Sequence, residues 1–487
     1  MTTAPASANG GLTFPEGFAW GTATASYQIE GAVSADGRGV SVWDTFSRAP
    51  GNVHGGDTGD VACDSYHRYR EDVALMASLG LNAYRFSISW PRIIPGGRGA
   101  VNQKGLDYYK ALLDELGSRG IAAAATLFHW DLPQELQDEG GWAVRDTAAR
   151  FADYAAVAAQ ALGDRVERWI TLNEPQVVAS HGYRTGEHAP GVRDPEAARA
   201  ATHHLLLGHG LALQALRSAL PRAVPVGITL DMHPVRLPGG SLSDAVQQAS
   251  QIRDAEMNHL YLEPVLHGQY PAQARETLLP PDSIVAPGDL DVIAQPVDFL
   301  GINYYAPVFL RAGDPADLRR GEKKVAGGDL PGVVEYAPDG LERTPMGWLV
   351  DPEGLYELLV SLSKDAPGLP LYITENGCAA EDYVNPAGEV NDLERVRYLH
   401  LHLEAAARAI RDGANLAGYY LWSLLDNFEW GYGYQKRFGI VFVDFGTQRR
   451  IPKASSRFYA NVVRANAIPP APVPPMSPAD RMTALSG

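Results

Sequence analysis

The chain has 487 residues, is 45% hydrophobic, and carries a formal net charge of −16 with a pI of about 5.3. That length can bury a large core, and α/β barrels of this size fold as one domain. The negative charge disfavours nonspecific binding to nucleic acid or to a membrane surface and suits a small neutral ligand. The two cysteines, Cys63 and Cys378, can build neither a disulfide framework nor a thiolate metal site.

Residues 1–12 are small and polar and read as a disordered N-terminus. They have neither the basic start nor the apolar core of a signal peptide. No apolar run approaches the ~20 residues that span a membrane, and no Asn-x-Ser/Thr acceptor occurs. A cytoplasmic location is the expectation.

Short apolar runs then recur near 18–25, 83–89, 121–128, 168–173, 225–230, 298–303, 370–374 and 416–422. Helical stretches follow near 64–79, 104–119, 147–162, 195–219, 243–267, 352–363, 393–411 and 454–465. In the second of these, Tyr109, Leu112, Leu113 and Leu116 fall at helical spacing and form one apolar face. The strand runs are continuously apolar rather than alternating, as in a parallel sheet covered on both faces. Eight such alternations predict a single (β/α)8 TIM barrel. An open doubly wound sheet is the alternative, but no Gly-rich phosphate-binding fingerprint follows the first strand. Two connections, near 271–297 and 306–350, are long enough to be walls of a site. The barrel is expected over 13–467, followed by a Pro-rich extension over 468–487.

Barrel chemistry lies at the C-terminal ends of the strands. Those ends carry Gln28 and Glu30; Arg85, Ser87 and Trp90; His129 and Trp130; Asn173 and Glu174; Asp231 and His233; Asn303, Tyr304 and Tyr305; Glu375 and Asn376; and Trp422, Asp426, Asn427, Glu429 and Trp430. Any single strand-end Asn, Tyr or Trp is commonly structural; the convergence of the set carries the argument. Sugar hydroxyls both donate and accept, which Asn, Gln, Glu and His can match. Sugar C–H faces pack on aromatic rings, which Trp348, Trp422 and Trp430 can supply. An acid at the end of a buried strand is costly unless its chemistry is used. Glu174 and Glu375 are two such acids, the minimum for cleaving a glycosidic bond. Arg85 beside one glutamate would hold it ionised. His203, His204 and His209 have no metal-binding spacing, and Ser87 and Ser89 lack a nucleophile-elbow context.

These residues resemble family one of the glycoside hydrolases. The resemblance rests on Phe14–Gly31, Tyr84–Trp90, Thr171–Pro175, Tyr372–Gly377 and Trp422–Trp430, and it runs from Phe14 to Val463. It implies a retaining β-glucosidase on a TIM barrel that needs no metal or cofactor, acting on small neutral β-glucosides and cello-oligosaccharides. Broader galactosidase or fucosidase activity and glycosyl transfer are the alternatives. It also implies Glu174 as acid/base and Glu375 as nucleophile, the two carboxyls ~5–5.5 Å apart. Gln28, His129, Asn173, Glu429 and Trp430 match the residues that hold the terminal sugar, and Trp422 matches the floor beneath it. Asn303 and Tyr305 match a pair near the nucleophile, as does Arg85. Glu429 and Trp430 stand where a phosphosugar enzyme of this resemblance would differ, so an unphosphorylated sugar is expected. Many members carry Trp two residues after the acid/base; this chain has Gln176, and the resemblance therefore leaves the aglycone and the oligomeric state open.

Overall fold

Each apolar run forms a barrel strand. The computed structural model describes residues 12–239, 243–319, 322–325 and 330–469. The strands are β1 (Ala19–Ala23), β2 (Ala83–Ser87), β3 (Ala122–Phe128), β4 (Arg168–Asn173), β5 (Val226–Asp231), β6 (Phe299–Asn303), β7 (Leu371–Asn376) and β8 (Leu416–Trp422). They pair in parallel and close in the order β1–β8–β7–β6–β5–β4–β3–β2. Strands such as β1, β2, β6 and β7 are buried along their whole length, because helices cover the outside and side chains fill the inside.

The helices follow the predicted alternation: α1 (Ser65–Leu79), α2 (Gln103–Ser118), α3 (Asp146–Leu162), α4 (Pro195–Ala219), α5 (Asp244–Asp254), α6 (Pro352–Asp365), α7 (Leu393–Arg411) and α8 (Ala454–Ala465). The apolar face of α2 buries Tyr109, Leu112, Leu113 and Leu116. Each such leucine contributes about 2 kcal/mol relative to an exposed one.

Two expectations need correction. The helix read as 243–267 is broken: α5 passes through a π turn, Ala255–His259, into a separate segment, Leu260–His267. Pro264 lies inside that segment, so it lacks the N–H that would bond Leu260 and forces the register to change nearby. The connection at 306–350 is not a plain loop. Val308–Ala312 pairs antiparallel with Val333–Tyr336 and parallel with Val235–Arg236, and Glu322–Lys323 adds a further edge. This small sheet buries its own cluster of Val246, Ala249, Leu310, Val325, Leu330 and Val333.

The two ends of the described chain meet. The Ile468 N–H donates to the Leu12 carbonyl at 3.0 Å, and Ile468 is buried in the main core. The described residues extend past the boundaries read from the sequence, 13 and 467, to 12 and 469. The rest of the predicted disordered and Pro-rich ends, 1–11 and 470–487, lies outside the described residues.

Candidate active site

Glu174 follows the last residue of β4, and Glu375 lies one residue before the end of β7. Both are nearly inaccessible, with exposures of 6% and 3%. Glu174 takes a left-handed conformation, φ 48° and ψ 63°, and caps the short helical turn that begins at Pro175. For a residue other than glycine that conformation costs about 1–3 kcal/mol and is characteristic of functional sites. Pro175 disfavours the right-handed alternative at the preceding residue. After Glu375 the chain must be glycine: a Cβ on Gly377 would lie 1.8 Å from the Trp422 carbonyl oxygen. The glutamate thus enters a turn pressed directly against the end of β8.

A line of buried side chains joins the two carboxyls. Arg85 Nη1 donates to Glu375 Oε1 at 2.5 Å, and Arg85 Nη2 donates to Asn173 Oδ1 at 2.6 Å. Asn303 Nδ2 donates both to Asn173 Oδ1 at 3.1 Å and to Glu174 Oε1 at 2.5 Å. Tyr305 Oη donates to Glu375 Oε2 at 2.7 Å. Arg85 and Tyr305 therefore lie beside Glu375 as the resemblance implied. Asn303 also lies beside Glu375, as its register partner between β6 and β7, while its amide donates to Glu174. Barrel geometry permits both, because β6 adjoins β7 and β5 alone separates it from β4. The sequence offered no clue to the Thr374 hydroxyl, which donates to Asn303 Oδ1 at 2.8 Å and so fixes the amide's direction.

The unequal partners set unequal acidities. Burial pushes the Glu174 carboxyl well above the usual range; the charges of Asp231 and Glu375 add to this, while Asn303 and Arg85 oppose it. Burial also raises Glu375, so Arg85 does not hold it at an ordinary value. For this glutamate, however, the Arg85 charge and the Tyr305 and Arg85 hydrogen bonds pull back down. With like charges close together, the pair shares one proton before it loses both. The proton belongs on Glu174, which has no cation of its own.

The residues expected to hold a sugar surround this pair. Asn173 presents its oxygen to Arg85 and Asn303, so its Nδ2 donates to His129 Nε2 at 3.1 Å. Burial and the Arg85 charge keep His129 neutral. Its proton is therefore on Nδ1, which is buried without a partner. Gln28 Nε2 is taken up by Asn427 Oδ1 and the Phe428 carbonyl, which leaves Gln28 Oε1 unpartnered. Glu429 Oε2 is likewise unpartnered, and burial with the Glu375 charge raises that carboxyl to about 8. One donor and two acceptors are thus left over, a set suited to hydroxyl groups. The His129 ring lies nearly parallel to Trp422 and Trp430, with centroids 5.8 and 6.0 Å away. Trp430 packs on Trp43 and Trp130, both at 4.5 Å. Trp348 packs on Tyr305 at 5.2 Å.

Other strand-end residues turn out to be structural. Glu30 accepts from Arg92 and Tyr109. Ser87 bonds Ser26, and Trp90 stacks on Tyr154. The Ser89 backbone N–H donates to the Tyr109 hydroxyl oxygen at 2.7 Å. Asn376 donates to the Tyr304 carbonyl, and Tyr304 donates to that of Asp351. His203 pairs with Tyr270 and Asp289, His204 with the Trp142 carbonyl and His209 with Thr171. Asn427, expected only as a neighbour, positions Gln28. Asp426 belongs to a buried charge network: Lys453 Nζ lies 2.6 Å from both Asp426 and Asp382, Arg437 binds Asp426, and Arg395 binds Asp382 and Asp392. Asp231 pairs with His233.

Two carboxyls at the mouth of a TIM barrel, one paired with a cation and the other with an amide, define a glycoside hydrolase site. Residues 11–468 match the model of glycosyl hydrolase family 1, and the chain belongs to that family. It is 50% identical to the thermostable β-glucosidase B of Thermobispora bispora, over 96% of this chain and 93% of that protein. It is 44% identical to a bifunctional β-D-glucosidase/β-D-fucosidase of Bifidobacterium breve, over 93% of this chain and 98% of that one. The structure of the family 1 β-glucosidase of Thermotoga maritima in complex with isofagomine lactam superimposes with a TM-score of 0.86. It is 45% identical and covers 94% of this chain and 100% of that chain. Among the described residues no helix is long and apolar enough to cross a membrane.

Proposed function

We propose that the chain is a retaining β-glucosidase in which Glu375 is the nucleophile and Glu174 the acid/base. It releases terminal nonreducing β-D-glucosyl residues from β-glucosides and cello-oligosaccharides. The observation that carries the assignment is the asymmetry of the line Glu375–Arg85–Asn173–Asn303–Glu174: a guanidinium and a phenol serve one carboxyl, an amide the other.

Glu375 attacks the anomeric carbon with the electron pair of a carboxylate oxygen. The bond to the leaving oxygen breaks as Glu174 gives that oxygen its proton. The glucosyl group is then an ester of Glu375. As the charge on Glu375 is consumed, one of the charges that raised Glu174 disappears, so Glu174 gives up its proton more readily, while burial and Asp231 go on raising it. The ionised Glu174 takes a proton from water, whose oxygen attacks the anomeric carbon and returns the electron pair to Glu375. Two inversions give net retention. His129 Nδ1–H, Gln28 Oε1 and Glu429 bind the sugar hydroxyls, and Trp422 and Trp430 its apolar faces. Trp348 borders the pocket beside Tyr305.

Glu375→Gly tests the reading. Hydrolysis should fall by several orders of magnitude, and added azide should restore turnover with an α-glucosyl azide as product. Normal hydrolysis by this variant would sink the assignment. The Bifidobacterium relative's second activity makes β-D-fucosides the next substrates to assay. Two buried free thiols, Cys63 and Cys378, suit a cytoplasmic setting.

A further inference from the structure

At the end of β5, next to the acid/base, stands an ion pair that the proposed chemistry does not use. His233 Nδ1 faces the Ala306 carbonyl at 2.8 Å, and Nε2 faces Asp231 Oδ2 at 2.7 Å. A carbonyl can only accept, so Nδ1 carries a proton. Burial opposes a charge on this imidazole, but Asp231 outweighs burial and raises it above its ordinary value. His233 is clamped by Asn258, which accepts its N–H at 2.9 Å and donates to its carbonyl at 3.0 Å. Asp231 Oδ1 is buried with no partner, so no second hydrogen bond disperses its charge.

The pair is tied to Glu174 from two sides. Gln176, two residues after Glu174, donates from Nε2 to the Asp231 carbonyl at 2.5 Å. Across the barrel register, Asp231 pairs with Asn303, whose amide holds Glu174 Oε1. We propose that the Asp231–His233 pair is a positioning device for the reaction: a fixed negative charge beside Glu174 that governs when the general acid gives up its proton. This rests on Glu174 being the acid/base.

The other groups acting on Glu174 are Glu375, which works in the same direction as Asp231, and Arg85 and Asn303, which work against it. Around the pair, Arg253 opposes the charge on His233, and Asp231 also acts on His181. None of these is removed by a change at Asp231.

The test is the pH dependence of kcat/KM on phenyl β-D-glucoside, whose poor leaving group needs the proton. Loss of that proton sets the basic limb. Asp231→Asn keeps the shape and removes the charge, so the basic limb should move down by roughly one pH unit. His233→Gln removes the cation that offsets the Asp231 charge, so the limb should move up instead. The double variant should move it no further than Asp231→Asn alone, because the two residues act as one unit. Thermal melting establishes that each variant is folded, and His233→Gln carries the test if Asp231→Asn is not. A basic limb unmoved in a folded variant, or a uniform loss of rate at every pH, overturns the inference. Glu174→Gln separates the two levels: if it keeps the wild-type basic limb, the acid/base assignment fails instead.

Discussion

Arg85→Met removes the cation that holds Glu375 while keeping most of the apolar volume. Arg85 is fully buried and donates to Thr126, Asn173, Glu375 and the Thr374 carbonyl. Breaking a buried ion pair from one side costs about 3–5 kcal/mol, because the remaining charge is left uncompensated. Glu375 keeps only the Tyr305 hydroxyl, so the burial that already raises it wins by a wider margin. A carboxyl raised in the folded state binds a proton there that the unfolded chain has released. Stability is then greatest below the ordinary carboxylate value and falls as pH rises toward the folded value. Urea unfolding of both proteins at pH 5 and pH 8 reads this directly. The deficit of the variant should be about 3–5 kcal/mol at pH 8 and clearly smaller at pH 5. In the same variant the acid limb of kcat/KM should rise by roughly 1–3 pH units, because a protonated Glu375 cannot attack. An equal stability loss at both pH values, with an unmoved acid limb, would refute the idea that Arg85 governs the charge on Glu375.

Glu174→Gln should spare the first step for 2,4-dinitrophenyl β-glucoside and slow it severely for phenyl β-glucoside; burst kinetics distinguish this from an equal loss on both. Glu429→Gln removes an unpartnered buried acceptor and should lower kcat/KM by about 2 kcal/mol, roughly 30-fold. A deoxyglucoside lacking the hydroxyl it binds should lose little further in that variant. Gly377→Ala forces a Cβ against the Trp422 carbonyl at 1.8 Å; it should depress both Tm and activity, whereas Gly117→Ala on α2, with open space around its Cβ and a right-handed backbone, should leave both near wild type.

The barrel was legible because its strands are continuously apolar and its helices long. The broken α5 was not, since Pro264 acts on a register that periodicity alone cannot locate. The small sheet at 306–350 escaped notice because two of its strands have only two residues each, too few to show alternation. Within the site, residue types at strand ends revealed which side chains converge but not which carboxyl each one serves. Arg85 and Tyr305 bond Glu375, whereas Asn303, although the register partner of Glu375, bonds Glu174, a distinction that depends on amide direction. The same limit hid Asn427, whose amide oxygen sets the direction of Gln28, and the pairing of Asp231 with His233.

The buried charges around Lys453 bear on how the protein can be changed. Asp382 follows β7, Asp426 and Arg437 follow β8, and Lys453 and Ser455 begin α8; hydrogen bonds among them make these three stretches one block. Each charge is compensated only while all are present, so a segment exchanged from a relative into 378–455 must carry its partners with it. The small sheet at 306–350 has its own apolar cluster and, among the described residues, a single outside obligation of this kind, the buried Glu335 that pairs with Arg253 of α5, which a graft must keep. Grafts aimed at new leaving groups belong there, where a new surface can be installed without unsettling the grip on the sugar.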